Sequence, residues 1–131
     1  MRRGRIRDGR INGGMSVTMS EERFEELVAD ALDTVPAGLT RLLDNVVILV
    51  EAESPPSGPE LLGLYEGYAL TSRTTQYGGV LPDRIMIYRN PILRMCRSEQ
   101  DVVREVRVTV VHEIAHHFGI YDERLHELGW G

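Results

Sequence analysis

The strongest constraint on the fold lies between residues 98 and 118, where two sequence patterns compete. Six β-branched valines favour a strand by intrinsic propensity: Val102, Val103, Val106, Val108, Val110 and Val111. The stretch is far longer than an ordinary strand. On a helical wheel six of its apolar side chains fall on one arc: Val103, Val106, Val110, Val111, Ile114 and Phe118. Ser98 followed by Asp101 is typical of a capping box. We therefore predict one long helix that begins after Ser98.

Residues 112 to 122 add chemistry to this helix, with the sequence His-Glu-Ile-Ala-His-His-Phe-Gly-Ile-Tyr-Asp. His112 and His116 are four apart, so their imidazoles lie on one helix face and can share a metal ion. Glu113 projects about 100° further round the axis and can reach a water at an open coordination position. The spacing predicts His112 and His116 as metal ligands and Glu113 as the base that deprotonates water.

Gly119 and Asp122 extend this pattern at intervals of three residues. Glycine can adopt the left-handed conformation that ends a helix, and such a turn would bring Asp122 back to the metal as a third ligand. Three protein ligands with one open position are typical of catalytic zinc. A bare His-Glu-x-x-His pattern also arises by chance in amphipathic helices with surface histidines, and the continuation to Asp122 favours the zinc site.

The motif resembles that of the zincins whose third ligand is aspartate, and most of residues 20 to 130 resembles a family of minimal zincin-like metallopeptidases in bacteria. The matching segments are Leu-Gly-Leu-Tyr-Glu-Gly at 62–67, Leu-Pro-Asp-Arg-Ile at 81–85 and His112 through Trp130. The resemblance implies an α+β domain with a small mixed sheet packed on the active-site helix. It also implies zinc held by His112, His116 and Asp122, with Glu113 as the catalytic base.

Several neighbouring residues have two interpretations. His117 is interpreted as a structural residue or as one that supports a metal ligand without binding the metal, since it points about 100° away from His116. The others are open between packing or surface roles and a role beside the metal: His126, Tyr65, Tyr68, Tyr121, Glu105 and Thr109. The strand near Ile85, Met86 and Ile87 is either the sheet edge that binds an extended peptide or an ordinary half-buried strand.

The remaining elements follow from turn and capping residues. Ser20 caps a first helix, and Pro36 and Gly38 end it. Val46 to Glu51 is predicted to be a buried strand, and Arg84 to Tyr88 a second one. Pro91 opens a short helix that reaches about Cys96.

Composition limits the classes of protein that fit this chain. Its 131 residues, 42% of them hydrophobic, suit one domain. We expect residues 1–19 to form a disordered basic tail and residues 20–131 to form the domain. No apolar run approaches the ~20 residues of a membrane helix, and the N-terminus lacks the apolar core of a secretory signal. With Cys96 as its one cysteine, the chain is expected to be cytoplasmic.

Charge is distributed unevenly along the chain. Residues 1 to 14 carry five arginines and one acid, whereas the rest carries ten arginines and nineteen acids. Nucleic-acid affinity depends largely on neutralising phosphates, so the acidic body argues against such a partner, although the tail could act as a phosphate-binding arm.

Two hypotheses of function remain. The first is a zinc peptidase acting on small or unfolded peptides, and the second is a non-catalytic metal-binding or partner-binding domain that keeps the same scaffold. Glu113 favours the enzyme, because a purely structural metal site does not need a base. The sequence does not specify an oligomeric state.

Overall fold

The computed structural model describes residues 2–6, 17–40, 43, 45–67 and 82–120, which contain four strands and four helices. In chain order these are β1 (Arg2–Ile6), α1 (Glu21–Asp33), α2 (Ala37–Thr40), β2 (Val46–Glu51), β3 (Leu61–Glu66), β4 (Asp83–Tyr88), α3 (Arg89–Arg94) and α4 (Glu99–His117).

The four strands form one mixed sheet in the order β1-β3-β4-β2. The outer strand β2 runs parallel to β4, whereas β3 is antiparallel to both β4 and β1. The predicted α+β class, with a small mixed sheet packed on a helix, is confirmed. The alternative that the strand near Ile85 is a peptide-binding edge is wrong, because β4 is paired on both sides and has no open backbone edge to offer.

The two long helices begin where their capping residues predict. The Ser20 hydroxyl accepts a hydrogen bond from the Arg23 amide at the start of α1, and the Ser98 hydroxyl accepts one from the Asp101 amide at the start of α4. Asp101 in turn accepts a hydrogen bond from the backbone amide of Arg97. These contacts satisfy amide groups that have no partner within the helix, and they fix the start of the valine-rich segment as a helix.

The core fills the space between one face of the sheet and the helices α1 and α4. Its fully buried side chains come from both layers, and the largest of them are Phe24, Leu62, Tyr65, Ile85, Ile87, Ile92, Val102 and Val106. Alternate residues of β4 point the other way, where Met86 and Tyr88 pack with Leu64. Within the described part of the chain, no helix is both long and apolar enough to cross a membrane.

Two expectations differ from the structure. The strand β2 is half-buried, not buried, because it is an outer strand, and Val47 and Leu49 on its free face are exposed. Arg2–Ile6, which lies within the segment expected to be a disordered tail, pairs with β3 as the strand β1. Backbone pairing along β3 supplies order that the polar sequence of this segment does not indicate. The domain boundary at residue 20 stays a prediction.

Candidate metal centre

The end of α4 carries His112, Glu113 and His116, and all three side chains are buried. The helix ends as the motif predicts, since Gly119 has a φ of 77° and lies directly after the C-cap residue Phe118. The amide of Ile120 bonds to the carbonyl of Ala115, and this closes the last turn in the manner of a Schellman motif. The three side chains of the motif therefore lie together just before the sharp turn at Gly119.

His112, Glu113 and His116 are brought close enough together to hold a metal ion. Their candidate ligand atoms all lie within 4.8 Å of one another. The two imidazole rings are 4.6 Å apart between centroids and are inclined by 78°. Imidazole nitrogen and carboxylate oxygen are the donors that zinc prefers, so the donor set fits a metal of this type.

The Glu113 carboxylate is held by hydrogen bonds at both oxygens. Its Oε1 lies 3.0 Å from Nδ1 of His116, and its Oε2 accepts a 3.0 Å hydrogen bond from the backbone amide of Arg5. If Nδ1 of His116 carries the proton in this contact, the lone pair is on Nε2, which can then ligate a metal. The carboxylate thereby orients a predicted ligand and keeps a fixed position itself.

A second buried cluster lies one turn beyond Glu113 on the sheet-facing side of α4 and contains Tyr65, Asp83 and His117. Oδ2 of Asp83 accepts a 2.7 Å hydrogen bond from the Tyr65 hydroxyl and lies 3.0 Å from Nδ1 of His117. The rings of Tyr65 and His117 meet edge to face at 5.9 Å. The contacts agree with the structural role predicted for His117, and they link β3 and β4 to the residue that directly follows His116.

Glu105 and Thr109, which the sequence left open, lie two turns and one turn before Glu113, respectively, on the same face of α4. The guanidinium of Arg5 donates from one nitrogen to Glu105 Oε2 at 2.7 Å and to Thr109 Oγ1 at 2.9 Å. Thr109 is fully buried, and the Glu105 side chain is 17% exposed. These two residues therefore contact Arg5 of β1, and they are not simply solvent-exposed.

Gly63 explains how closely the sheet approaches this face of α4. A Cβ atom at Gly63 would lie 2.6 Å from Thr109 Cγ2 and 3.2 Å from Glu113 Oε2. The contact with Thr109 is too short to exist, so the Thr109 side chain or the spacing between β3 and α4 would have to change. The absence of a side chain therefore keeps Glu113 directly against the sheet.

Four residues of the predicted site lie outside the described part of the chain: Tyr68, Tyr121, Asp122 and His126. The assignment of Asp122 as third ligand accordingly stays a prediction. Sequence reasoning missed Asp83 and Arg5. A signal existed for Asp83, because an acidic residue at the start of a mostly apolar strand needs a partner once it is buried, but no such signal existed for Arg5.

Comparisons with known proteins agree with this geometry. The model of the zincin-like metallopeptidase family matches residues 43–130, and this family implies a metal ion. No curated protein matches the chain. A solved structure of a conserved hypothetical protein from Thermo thermophilus is 27% identical, with a TM-score of 0.53, and the match covers 76% of this chain and 94% of that chain. The chain therefore belongs to the zincin-like metallopeptidase family.

Proposed function

We propose that the protein is a zinc-dependent peptidase in which Glu113 is the general base. The observation that carries this proposal is the position of Glu113, buried beside the two predicted histidine ligands and hydrogen-bonded at both oxygens. A carboxylate held in a fixed position beside two imidazoles can exchange a proton with water or with a peptide nitrogen once a substrate takes the place of β1.

In this proposal His112 and His116 hold the zinc together with Asp122, the ligand predicted from sequence. Zinc bound there would activate water and polarise the substrate carbonyl. Glu113 takes a proton from the attacking water and later gives it to the leaving amine. The Glu113–His116 contact of 3.0 Å supports this division of roles, since it orients the imidazole while the carboxylate stays beside the reaction centre.

One contact favours the second candidate, a non-catalytic domain that keeps the scaffold. The Arg5 amide donates a hydrogen bond to Oε2 of Glu113. If β1 never leaves this position, a substrate cannot reach that carboxylate oxygen. The two candidates thus differ in whether a substrate can replace β1 beside α4.

A digest of an unbiased peptide library tests the proposal. The zinc-loaded full chain is incubated with the library, and products are identified by mass spectrometry. A second sample contains a chelator, and a third contains the chelator followed by excess zinc. We expect cleavage in the first and third samples only. If the zinc-loaded protein cleaves no peptide, the non-catalytic candidate is supported.

A further inference from the structure

The strand β1 lies against β3 as an extended peptide would lie in a binding cleft. It pairs antiparallel with β3, and Arg5 is directly opposite Gly63 in the register. Directly opposite residues of an antiparallel pair project to the same face of the sheet. The Arg5 side chain therefore points toward α4. It contacts Thr109, the same residue with which a side chain on Gly63 would collide.

The backbone of Arg5 meets Glu113 as the nitrogen of a scissile peptide would. Its amide nitrogen lies 3.0 Å from Glu113 Oε2, within the distance needed for proton transfer. A peptidase base must reach this nitrogen to protonate the leaving amine. By this geometry, the bond that precedes Arg5 occupies the position of the cleaved bond.

The Arg5 side chain occupies a site with matched acceptors. Glu105 supplies a carboxylate 2.7 Å from the guanidinium, and Thr109 supplies a hydroxyl oxygen at 2.9 Å. The Thr109 hydroxyl also donates to the backbone carbonyl of Glu105 at 2.7 Å. Its hydrogen is thus already used, and the hydroxyl faces Arg5 as an acceptor.

The three residues of α4 that contact Arg5 are aligned along the helix axis. Glu105, Thr109 and Glu113 follow one another at intervals of four and form a single stripe along the helix. One residue of a bound strand can therefore place its amide at Glu113 and its side chain at Glu105 and Thr109, as Arg5 does.

We propose that Glu105, Thr109 and Gly63 form a subsite that selects arginine. In the absence of substrate, Arg5 of the protein's own strand β1 fills this subsite. The preferred substrate is an extended peptide with arginine directly after the cleaved bond. The reaction rests on the proposed peptidase function. Water adds its oxygen to the carbonyl carbon before arginine, and the bond from that carbon to the arginine nitrogen breaks. The nitrogen takes a proton through Glu113, so the products are a new carboxylate and a peptide that begins with arginine.

Binding of a labelled peptide to the zinc-loaded full chain tests the subsite. The probe has the sequence of residues 1–8, Met-Arg-Arg-Gly-Arg-Ile-Arg-Asp. Fluorescence anisotropy, read before the probe is cleaved, gives its Kd, and mass spectrometry then follows cleavage of the bond before position five. A second peptide carries glutamine at position five, and a charge-matched third carries glutamine at position seven, beyond the end of β1. The host is Arg5→Ala, which weakens the competing strand without removing it.

We expect the glutamine at position five to weaken binding about tenfold, in the range of charged hydrogen bonds, and the glutamine at position seven to change little. Adding Glu105→Gln to the host should abolish the difference between the first two peptides. The matched control Glu99→Gln, an exposed acid of the same helix that pairs with Arg23, should preserve it. Wild-type protein should bind the probe more weakly than Arg5→Ala, because its own strand competes.

Equal loss of affinity for the second and third peptides would overturn the proposal, since it would indicate general charge attraction. Equal affinity of wild type and Arg5→Ala would overturn the competition by β1. Arginine-selective binding without any cleavage would leave the subsite intact and refute the peptidase. Cleavage without arginine-selective binding would refute the subsite alone.

Discussion

Oδ2 of Asp83 lies 3.0 Å from Nδ1 of His117, and both side chains are fully buried at the interface between β4 and α4. The same oxygen accepts a hydrogen bond from the hydroxyl of Tyr65 in β3. His117 directly follows His116, so this cluster links two strands of the sheet to the helix turn that carries the predicted metal ligands. Stability and metal binding should therefore depend on different histidines.

Replacing His117 with alanine tests this separation. We expect a loss of about 1–3 kcal/mol in unfolding free energy, the usual cost of leaving a buried polar group without its partner, while zinc stays near one per chain. Asp122→Ala should do the reverse, with weakened zinc binding and a smaller loss of stability in the metal-free protein. Denaturant unfolding and elemental analysis measure the two quantities. Zinc lost from His117→Ala but kept by Asp122→Ala would show that the ligand assignment is wrong.

Removing residues 1–6 tests whether β1 belongs to the fold. The deletion removes the pairing with β3 and the contacts of Arg5 with Glu105, Thr109 and Glu113. We expect Tm to fall by a few degrees, as a loss of about 1 kcal/mol produces in a domain of this size, and amide exchange in β3 to become faster. Arg5→Ala keeps the backbone pairing and should have a smaller effect. An unchanged Tm with unchanged exchange in β3 would contradict the strand assignment.

Cys96 should be chemically inert in the folded protein. Burial raises the pKa of its thiol to about 12, with a smaller contribution from Glu105. The thiolate is the reactive form, so a thiol reagent at pH 8 should modify the native protein far more slowly than the unfolded chain. Cys96→Ala supplies the background rate. Equal rates in the native and unfolded states would show that the thiol is accessible.

The raised pKa of Cys96 makes the free energy of unfolding depend on pH. The fold favours the neutral thiol, so the contribution of Cys96 is fully present below the unfolded pKa of about 9. It is lost as pH rises toward 12, because the unfolded thiol ionises first and draws the equilibrium toward the unfolded chain.

Much of the helical structure could be predicted from short-range signals. Ser20 and Ser98 determine where α1 and α4 begin, because each cap bonds an amide only three residues away. The spacing of His112, Glu113 and His116 is likewise a local property of the helix, so their convergence followed from sequence.

Features that depend on long-range pairing could not be predicted. The position of β1 depends on a partner strand about sixty residues away, and its arginine-rich sequence shows no apolar alternation. Apolar composition suggested that β2 is buried, but its outer place in the sheet leaves Val47 exposed. The Asp83–His117 contact requires the register between β4 and α4, which neither segment specifies alone.

The measurement that tests the proposed chemistry most directly compares zinc content and peptide hydrolysis in wild type, Glu113→Gln and the matched control Glu99→Gln. Glutamine keeps the size of Glu113 and one of its two hydrogen-bond acceptors but cannot act as a base. We predict about one zinc per chain in all three proteins, full activity in Glu99→Gln, and a loss of activity in Glu113→Gln on the order of 10² or more. An active wild type with an equally active Glu113→Gln would contradict Glu113 as the base, even if every sample binds zinc.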